Sequence, residues 1–600
     1  MTDRFFSRRN LDFLLYEVFD AEALTRFDYY GDHTRQGFSM VLDAAASLGA
    51  DLLHPCLTEM DEHSAFLENG RVAVHSVVRK FLKECGKGGW IGASFPYDHD
   101  GEQLPDMVTS ACRFIFAAAN YSASVFPELS AGAAHLVTTF GSKALVDATV
   151  PHLLAGRWQG TMALTEPEAG SSLSDVATMA VPTDDGRYRI QGRKVFISAG
   201  DHDAVENVVH LLLARIQGAP AGTRGISLFA VPKLRTENGK RVPNDVTVSQ
   251  VFHKLGYRGA PITELSLGEH DDCLGDLVGP PHRGLSCMFQ MMNEARIGVG
   301  LGATAIASAA YYAALDYARG RRQGRKPGEK DPACPPMAII EHADVRRMLL
   351  FQRAVVEGSL GLLLQCCHYS DTAHAGPAGE REDAGMLLDL LTPVAKSYPS
   401  EMGVLAVSAG LQCLGGYGYC SDFPLQQYYR DVRIHPIHEG TTGIQGMDLL
   451  GRKVFMHDGR ALALLADAMG VTMAAAEGRG ALADHVRALR DARERLATVT
   501  QHLLGVAMTR GPEVFLADAT LYLELFGITV VAWQWLKQAV VADSALDTNR
   551  ADGARRFYLG KRFTCDYFFA YELPKTLGLA QRLTDERALT TQMSSDLFDD

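Results

Sequence analysis

Between Thr161 and Ser198 the chain reads TMALTEPEAGSSLSDVATMAVPTDDGRYRIQGRKVFIS, and in this stretch its period changes. Upstream, from about Leu11 to Leu153, apolar residues recur at helical spacing, as in SMVLDAAASLGADLLHP (39–55) and VTSACRFIFAAANYSASVF (108–126). From Gly160 onward the apolar residues fall in short β-branched runs: Tyr188 to Ile190, Asn207 to Ile216, Ile226 to Val231 and Thr263 to Leu267. Turn clusters such as Thr183-Asp-Asp-Gly186 separate them, so a β-domain is predicted inside a mainly α chain. Past His282 the helical period returns. Leu285 to Arg319 holds no Pro and many Ala and Gly, which predicts one helix of about 50 Å at 1.5 Å per residue. Arg325 to Pro336 reads as an exposed loop, with further helices over Glu341 to Gln365 and Thr392 to Leu414. After a Gly-bounded joint at His457 to Gly459, Ala461 to Leu583 is helical again. Four segments follow: a helical domain over 1–159, the β-domain over 160–281, a helical bundle over 282–457 and a C-terminal helical domain over 458–600.

Composition narrows the function classes. Of 600 residues, 47% are apolar and 22% charged, which excludes a disordered chain and a coiled coil. The net charge of −13 presents a repulsive average field to a polyanion, so no nucleic-acid partner is expected. Eleven Cys include no CxxC pair, and the adjacent Cys366 and Cys367 do not suit a disulfide framework. That usage predicts a reducing compartment and a cytoplasmic protein. Asp12 and Glu17 interrupt the apolar residues near the N-terminus, against a signal-peptide core. Phe526 to Ala542, the most apolar late stretch, contains Gln534, Lys537 and Gln538 and reads as a core helix too short and polar to span a bilayer.

Six segments carry residues suited to chemistry, each with an ordinary structural reading beside it. Thr165-Glu-Pro-Glu-Ala-Gly-Ser-Ser172 offers hydroxyls and close backbone approach to a flavin edge or pyrophosphate, and equally suits a capped turn. In Lys194-Val-Phe-Ile-Ser-Ala-Gly200, Phe196 and Ser198 share one strand face, fit either for a planar ring or for a core edge. Asn293 and Arg296, three apart on a helix, suit an adenylate or a solvated face. Arg321 and Gln323 at a basic helix end suit a phosphate or simply the helix dipole. Leu411-Gln-Cys-Leu-Gly-Gly-Tyr-Gly418 lacks a preceding strand and is no dinucleotide fingerprint; Gly298-Val-Gly-Leu-Gly302 fails likewise inside a helix. In Arg430-Asp-Val-Arg-Ile-His-Pro-Ile-His-Glu-Gly-Thr-Thr-Gly443, Glu439 follows the apolar Ile437 and fits either a desolvated general base or a helix N-terminal carboxylate. His435, His438 and Glu439 lack metal-site spacing, so no metal is expected.

Taken in order, TEPEAGSS, GRKVFISAG, NEARIGVG, LQCLGGYGY and YRDVRIHPIHEGTTGIQ resemble the acyl-CoA dehydrogenase family, in its branch of chains about as long as this one. The resemblance covers essentially the whole chain. It implies a helical domain, a β-barrel domain and a four-helix bundle, followed here by a C-terminal helical domain. It also implies FAD as cofactor and α,β-dehydrogenation of an acyl-CoA to a trans-2-enoyl-CoA, with Glu439 as base and flavin N5 as hydride acceptor. By the same resemblance Leu164 and Thr165 lie at the isoalloxazine edge, Phe196 against its face, Ser198 toward N5 and Ser171 at the phosphates. Arg321 and Gln323, with Gln412 and Gly416 at the adenosine, come from a second subunit, and Thr441 returns to the first subunit's flavin. A homodimer or larger homo-oligomer follows. The substrate contacts implied are Asn293 and Arg296 on the CoA arm, with Ser171, His438 and Gly440. An electron-transfer flavoprotein is the implied acceptor, and no integral membrane segment is expected.

Three positions depart from the family pattern. Asn293 stands where many relatives have Asp, Gly324 where the family has a Phe after Arg-x-Gln, and Gly443 where shorter relatives have Gln. The alternative base position, before the helix arginine, is Ala295 and cannot act. An acyl-CoA oxidase would use the same base and flavin. A non-catalytic flavoprotein binding module of the kind that holds DNA would want a basic C-terminus, but residues 461–600 carry 15 Lys and Arg against 18 Asp and Glu.

Overall fold

The computed structural model describes residues 4–548 and 552–599, without the side chains of residues 290–292. Packing divides them into two units, residues 36–295 and residues 1–35 with 296–600. These do not follow the four sequence segments: residues 282–295 fall with 36–281, and residues 296–457, 458–600 and the first 35 share the other unit. The reason is a buried polar network. Lys561 is fully buried between Glu357 at 2.8 Å, Gln538 at 2.9 Å and Asn10, and Tyr558 donates to Glu17 at 2.6 Å.

In the 36–295 unit, the helix Asp106–Phe140 lies against the strand Trp158–Ala163. The contact is close because Gly160 has no side chain: a Cβ there would stand 2.4 Å from that of Ala133. Gln159 locks it by donating to Phe126 O and to the Ser130 hydroxyl, both at 3.0 Å. The helix breaks its own geometry at Asn120 (φ −163°, ψ 98°), where Asn120 Oδ1 accepts from the Ala123 amide and caps the second half from inside.

Eight strands form the largest sheet of this unit. Tyr188–Ser198 pairs with Leu274–Val278, which pairs with Ile226–Pro232 and then Asn207–Ile216; Met179–Pro182 bridges Asn207–Ile216 back to Tyr188–Ser198. The circuit closes, so the inserted domain is a barrel. Its interior is filled by Ile190, Leu212, Phe229, Val231 and Leu265, all essentially inaccessible. Only the pairings of Asn207–Ile216 with Trp158–Ala163 and Met179–Pro182 are parallel.

In the other unit, Ala343–Ala375 and Ala378–Cys413 form a long antiparallel helix pair. The second starts well before Thr392 and runs through Pro393 and Pro399. Helix propensity favours a break at such prolines, but the helix is buried against its neighbours along this stretch. Pro399 leaves Ala395 O without its helical donor, and that carbonyl is approached by Gly300 of the Gly284–Gly320 helix, where a Cβ would stand only 2.0 Å away. Burial of the Gly284–Gly320 and Ala343–Ala375 helices reaches 83% of their most apolar windows.

The C-terminal helix Ala519–Leu546 corrects the shorter span expected for Phe526–Ala542. Its 28 residues make it one of five described helices long and apolar enough to cross a membrane by length and composition alone. The protein's own interior takes it up: 83% of its apolar window is buried, Trp535 donates to Ala354 O at 3.0 Å, and Gly358 leaves room for the indole.

Candidate active site

In the barrel unit, the loop after Trp158–Ala163 and the strand Tyr188–Ser198 are joined by one buried ion pair. Lys194 Nζ lies 2.8 Å from Glu166 Oε1 and also donates to Leu164 O at 3.1 Å and Leu213 O at 2.7 Å. Glu166 in turn accepts from the Ala177 and Thr178 amides and the Thr178 hydroxyl. Burial pulls Lys194 down to about 8, while Lys194 and the hydrogen bonds together hold Glu166 below the usual carboxylate range against its desolvation. The pair fixes Leu164 and Thr165, and Val195 N completes the junction by donating to Thr165 O at 2.9 Å.

Phe196 is exposed on the strand that also carries Ser198, and the strand around it departs from simple alternation. Between Lys194 and Ile197 the strand holds two residues against one on Ile262–Leu267, a bulge at which Phe196 takes φ +60°. Lys194 and Val195, adjacent in sequence, consequently both point inward, and Phe196 is left 62% exposed with its ring 4.8 Å from that of Phe252. Ser198 is half-buried and Ser171 lies exposed in the loop after Glu166. Left-handed backbone at a Phe, followed by Ala199 at φ +51°, is the kind of strain that a ligand-facing surface retains.

In the helical unit, the second group of candidates splits into a cavity and a base. Arg321, Gln323, Gln412 and Gly416 line one cavity of about 560 Å³ together with Tyr317 and His342. Its rim is pinned by a short ladder in which Gln323 N donates to Met337 O and Ile339 N to Arg321 O. Gly324 has φ +71°, and a Cβ there would stand 3.3 Å from the His342 ring, which is held by a 2.8 Å contact between its Nε2 and Gln323 O. The His342 ring thus stands beside Gly324, and the Tyr317 and Tyr417 rings line the same cavity. Gly415 and Gly416 leave open space beside it. A donor-rich rim, an arginine, a ring and a glycine floor fit a dinucleotide's adenosine and phosphates.

Glu439 occupies a left-handed turn with φ +53°, followed by Gly440 at φ +88°. Gln445 Nε2 donates to Glu439 O at 3.1 Å, and the φ of +88° at Gly440 is one that a residue with a Cβ rarely adopts. Thr441 caps the helix Thr442–Gly451, accepting from Ile444 N, so Glu439 stands outside the helix and is not its capping carboxylate. Desolvation raises its pKa, opposed by Lys396 and Arg296. Ile437, expected to dry the pocket, is 51% exposed, while His435, two residues before it, is fully buried. His438 packs edge-on to His435 at 5.4 Å, and burial keeps both imidazoles neutral, His435 down to about 3.

Arg296 is buried and pairs with Asp448 at 2.9 Å, a partner 152 residues away that spacing could not supply. Asn293 is half-buried on the same helix, the side chain of Met292 lying outside the described residues. Lys396 was missed by sequence reasoning, although a lysine within the apolar run LTPVAKSYPS is a detectable signal. Among the described residues no cluster of three His, Cys, Asp or Glu side chains is placed to hold a metal.

Three family models match in the order of these pieces: the acyl-CoA dehydrogenase middle domain over 161–269, the acyl-CoA dehydrogenase C-terminal domain over 282–455, and an acetyl-CoA dehydrogenase C-terminal-like domain over 465–594. The chain belongs to the acyl-CoA dehydrogenase family. As such it is an oxidoreductase. It is 39% identical to 3-methylmercaptopropionyl-CoA dehydrogenase of Ruegeria pomeroyi, over 89% of this chain and 90% of that one. A butyryl-CoA dehydrogenase of Syntrophomonas wolfei is 32% identical over 97% and 98% of the two chains. Caenorhabditis elegans ACDH-11, solved with C11-CoA, shares the fold with a TM-score of 0.76 at 22% identity, over 94% and 91% of the chains. An acyl-CoA dehydrogenase from Bacillus anthracis, solved with FAD, aligns with a TM-score of 0.72 at 19% identity, over 94% of each chain.

Proposed function

We propose that this acyl-CoA dehydrogenase removes the α-proton and β-hydrogen of an acyl-CoA thioester, giving a trans-2-enoyl-CoA, with Glu439 as the base. The observation that carries the reading is the placement of Glu439: a carboxylate set in a left-handed turn outside the helix, desolvated, and faced by two buried cations. Burial makes the carboxylate more basic, and the cations keep it ionised enough to accept a proton. FAD is the cofactor, and when bound it supplies the acceptor for the β-hydride. Leu164, Thr165, Phe196 and Ser198 would hold its ring, with Ser171 at the phosphates. Arg321, Gln323, Gln412 and Gly416, gathered on one cavity wall, would hold the adenosine and pyrophosphate of a second copy's flavin, with Thr441 on the first. A homodimer or larger assembly is part of this reading.

On the substrate, Asn293 and Ser171 would meet the CoA arm, and His438 and Gly440 would lie beside the thioester. Arg296, held by Asp448, contributes its field at Glu439 more than a free guanidinium to a phosphate. Electrons then pass to an electron-transfer flavoprotein. Eleven cysteines with no CxxC pair among them suit a reducing compartment such as the cytoplasm. The relatives named for butyryl-CoA and 3-methylmercaptopropionyl-CoA put short chains first among substrates. Anaerobic bleaching of the flavin by a panel of acyl-CoAs varied in length, branching and β-thioether tests the reading: selective bleaching by one class supports it, and a flavin that no acyl-CoA reduces sinks it.

A further inference from the structure

We propose that Gln445 is a positioning residue for the base: its buried side-chain amide fixes the turn that carries Glu439, acting through the backbone of Glu439 and not on the substrate. The inference rests on the reading of Glu439 as base. Gln445 Nε2 donates to Glu439 O at 3.1 Å and to Gly440 O at 3.4 Å. Gln445 has a relative accessibility of 0%, and among the described residues its Oε1 has no hydrogen-bond partner. The bonds of this amide therefore run to the two carbonyls of the turn and not to the core around it.

The turn is one that needs holding. Glu439 at φ +53° and Gly440 at φ +88° are consecutive left-handed residues, and a glutamate keeps that conformation only where its surroundings over-determine it. Contacts on both sides of Glu439 do so. Before it, His438 N donates to Ile434 O at 3.1 Å; after it, Gln445 takes its carbonyl and the next one. Thr442 closes the turn, its N–H donating to Pro436 O at 3.1 Å and its hydroxyl to Glu401 on Ala378–Cys413. With the chain held on both sides, the direction in which the Glu439 side chain leaves the backbone is set. Gln445 itself stands on a fixed support, because its helix Thr442–Gly451 lies against Ala519–Leu546 at the next residue. A Cβ on Gly446 would stand 2.7 Å from Ala519 O, so the two backbones touch there. The C-terminal helix thus reaches the turn of the base through two adjacent residues, Gly446 and Gln445. Without the amide the strained turn is free to relax, and a reacting group displaced by about 1 Å can lose about 10²-fold in rate.

The test is anaerobic reduction of the flavin-loaded enzyme by butanoyl-CoA, followed at increasing concentration so that the limiting rate and the half-saturating concentration are read separately. Gln445→Met keeps the length of the side chain and removes the donor; Gln445→His changes the shape and keeps an N–H donor. Gln445→Met is expected to lower the limiting rate about tenfold or more while half-saturation moves by less than about twofold, since a misplaced base slows the chemistry more than it weakens binding. Gln445→His is expected to be the faster of the two. A residue that only fills space gives the opposite order, because methionine is the closer match in volume and shape. Gln445→Met at the parental rate, a half-saturating concentration raised in step with the lost rate, Gln445→His no faster than Gln445→Met, or failure of both variants to retain flavin would overturn the proposal and leave Gln445 a core residue. Glu439→Gln is measured alongside. If it reduces its flavin at the parental rate, the base reading fails; if it is inactive while Gln445→Met is unimpaired, only the role of Gln445 fails.

Discussion

Lys194 Nζ stands 2.8 Å from Glu166 Oε1, the lysine fully buried and the carboxylate nearly so, and that one contact ties the loop after the first barrel strand to the bulged strand bearing Phe196. Replacing either partner alone leaves a buried charge without compensation, which costs about 3–5 kcal/mol. Lys194→Met and Glu166→Gln are each expected to lower Tm and to weaken flavin retention, and the double variant to recover part of the Tm. Thermal melts followed by flavin release check this; single variants as stable as the parent would remove the pair from the account.

Glu439→Gln keeps the size of the side chain and the hydrogen bond of Gln445 to the backbone, which does not involve the carboxylate. It is expected to retain fold and colour and to lose turnover by about 10²- to 10⁴-fold, the usual contribution of a general base. Single-turnover flavin reduction under anaerobic conditions measures it, and a wild-type rate excludes Glu439 as the base.

Arg321→Ala removes the guanidinium from the cavity it shares with Gln412 and Gly416. Retention of FAD on dilution is expected to fall more than the rate of the fraction that remains loaded, because an arginine binds a pyrophosphate bidentately and takes no part in the chemistry. Equilibrium titration of apoprotein with FAD gives the dissociation constant directly; an unchanged constant contradicts the assignment.

His210 is fully buried in the barrel, its Nδ1 2.7 Å from the Thr161 hydroxyl, and burial pulls its pKa down to about 3. The unfolded chain takes up a proton near 6.5, which the folded one refuses until about 3. Stability is therefore full above about pH 6.5 and falls as pH drops from there toward 3, each such histidine contributing a slope of about 1.4 kcal/mol per pH unit. His210→Asn is expected to flatten the acid side of a Tm-against-pH curve. A slope unchanged by the substitution would show that His210 does not set it.

The reduced enzyme with enoyl-CoA bound is expected to react slowly with oxygen and rapidly with an electron-transfer flavoprotein, because a filled, dry site leaves oxygen little access to the flavin. Peroxide release measured against ferrocenium reduction decides between the two. Stoichiometric peroxide at the ferrocenium rate would make the protein an oxidase.

Periodicity in the sequence was enough to place the inserted β-domain and the single helix over Gly284–Gly320, because period-2 and period-3.6 patterns are local and each is written in the residues that obey it. The ordered motifs also group Arg321, Gln323, Gln412 and Gly416, which line one cavity. What tertiary structure decided lies in pairs that no local period records. The bulge at Phe196 arises from its cross-strand partner, and the helix through Pro393 and Pro399 survives because other elements pack against it. Arg296 meets Asp448 only after 152 residues of chain have folded back. Lys396, set in an apolar run of the sequence, becomes a fully buried cation without a hydrogen-bond partner only when the helices close around it, since desolvation is a property of the whole packed core and not of any residue's neighbours along the chain.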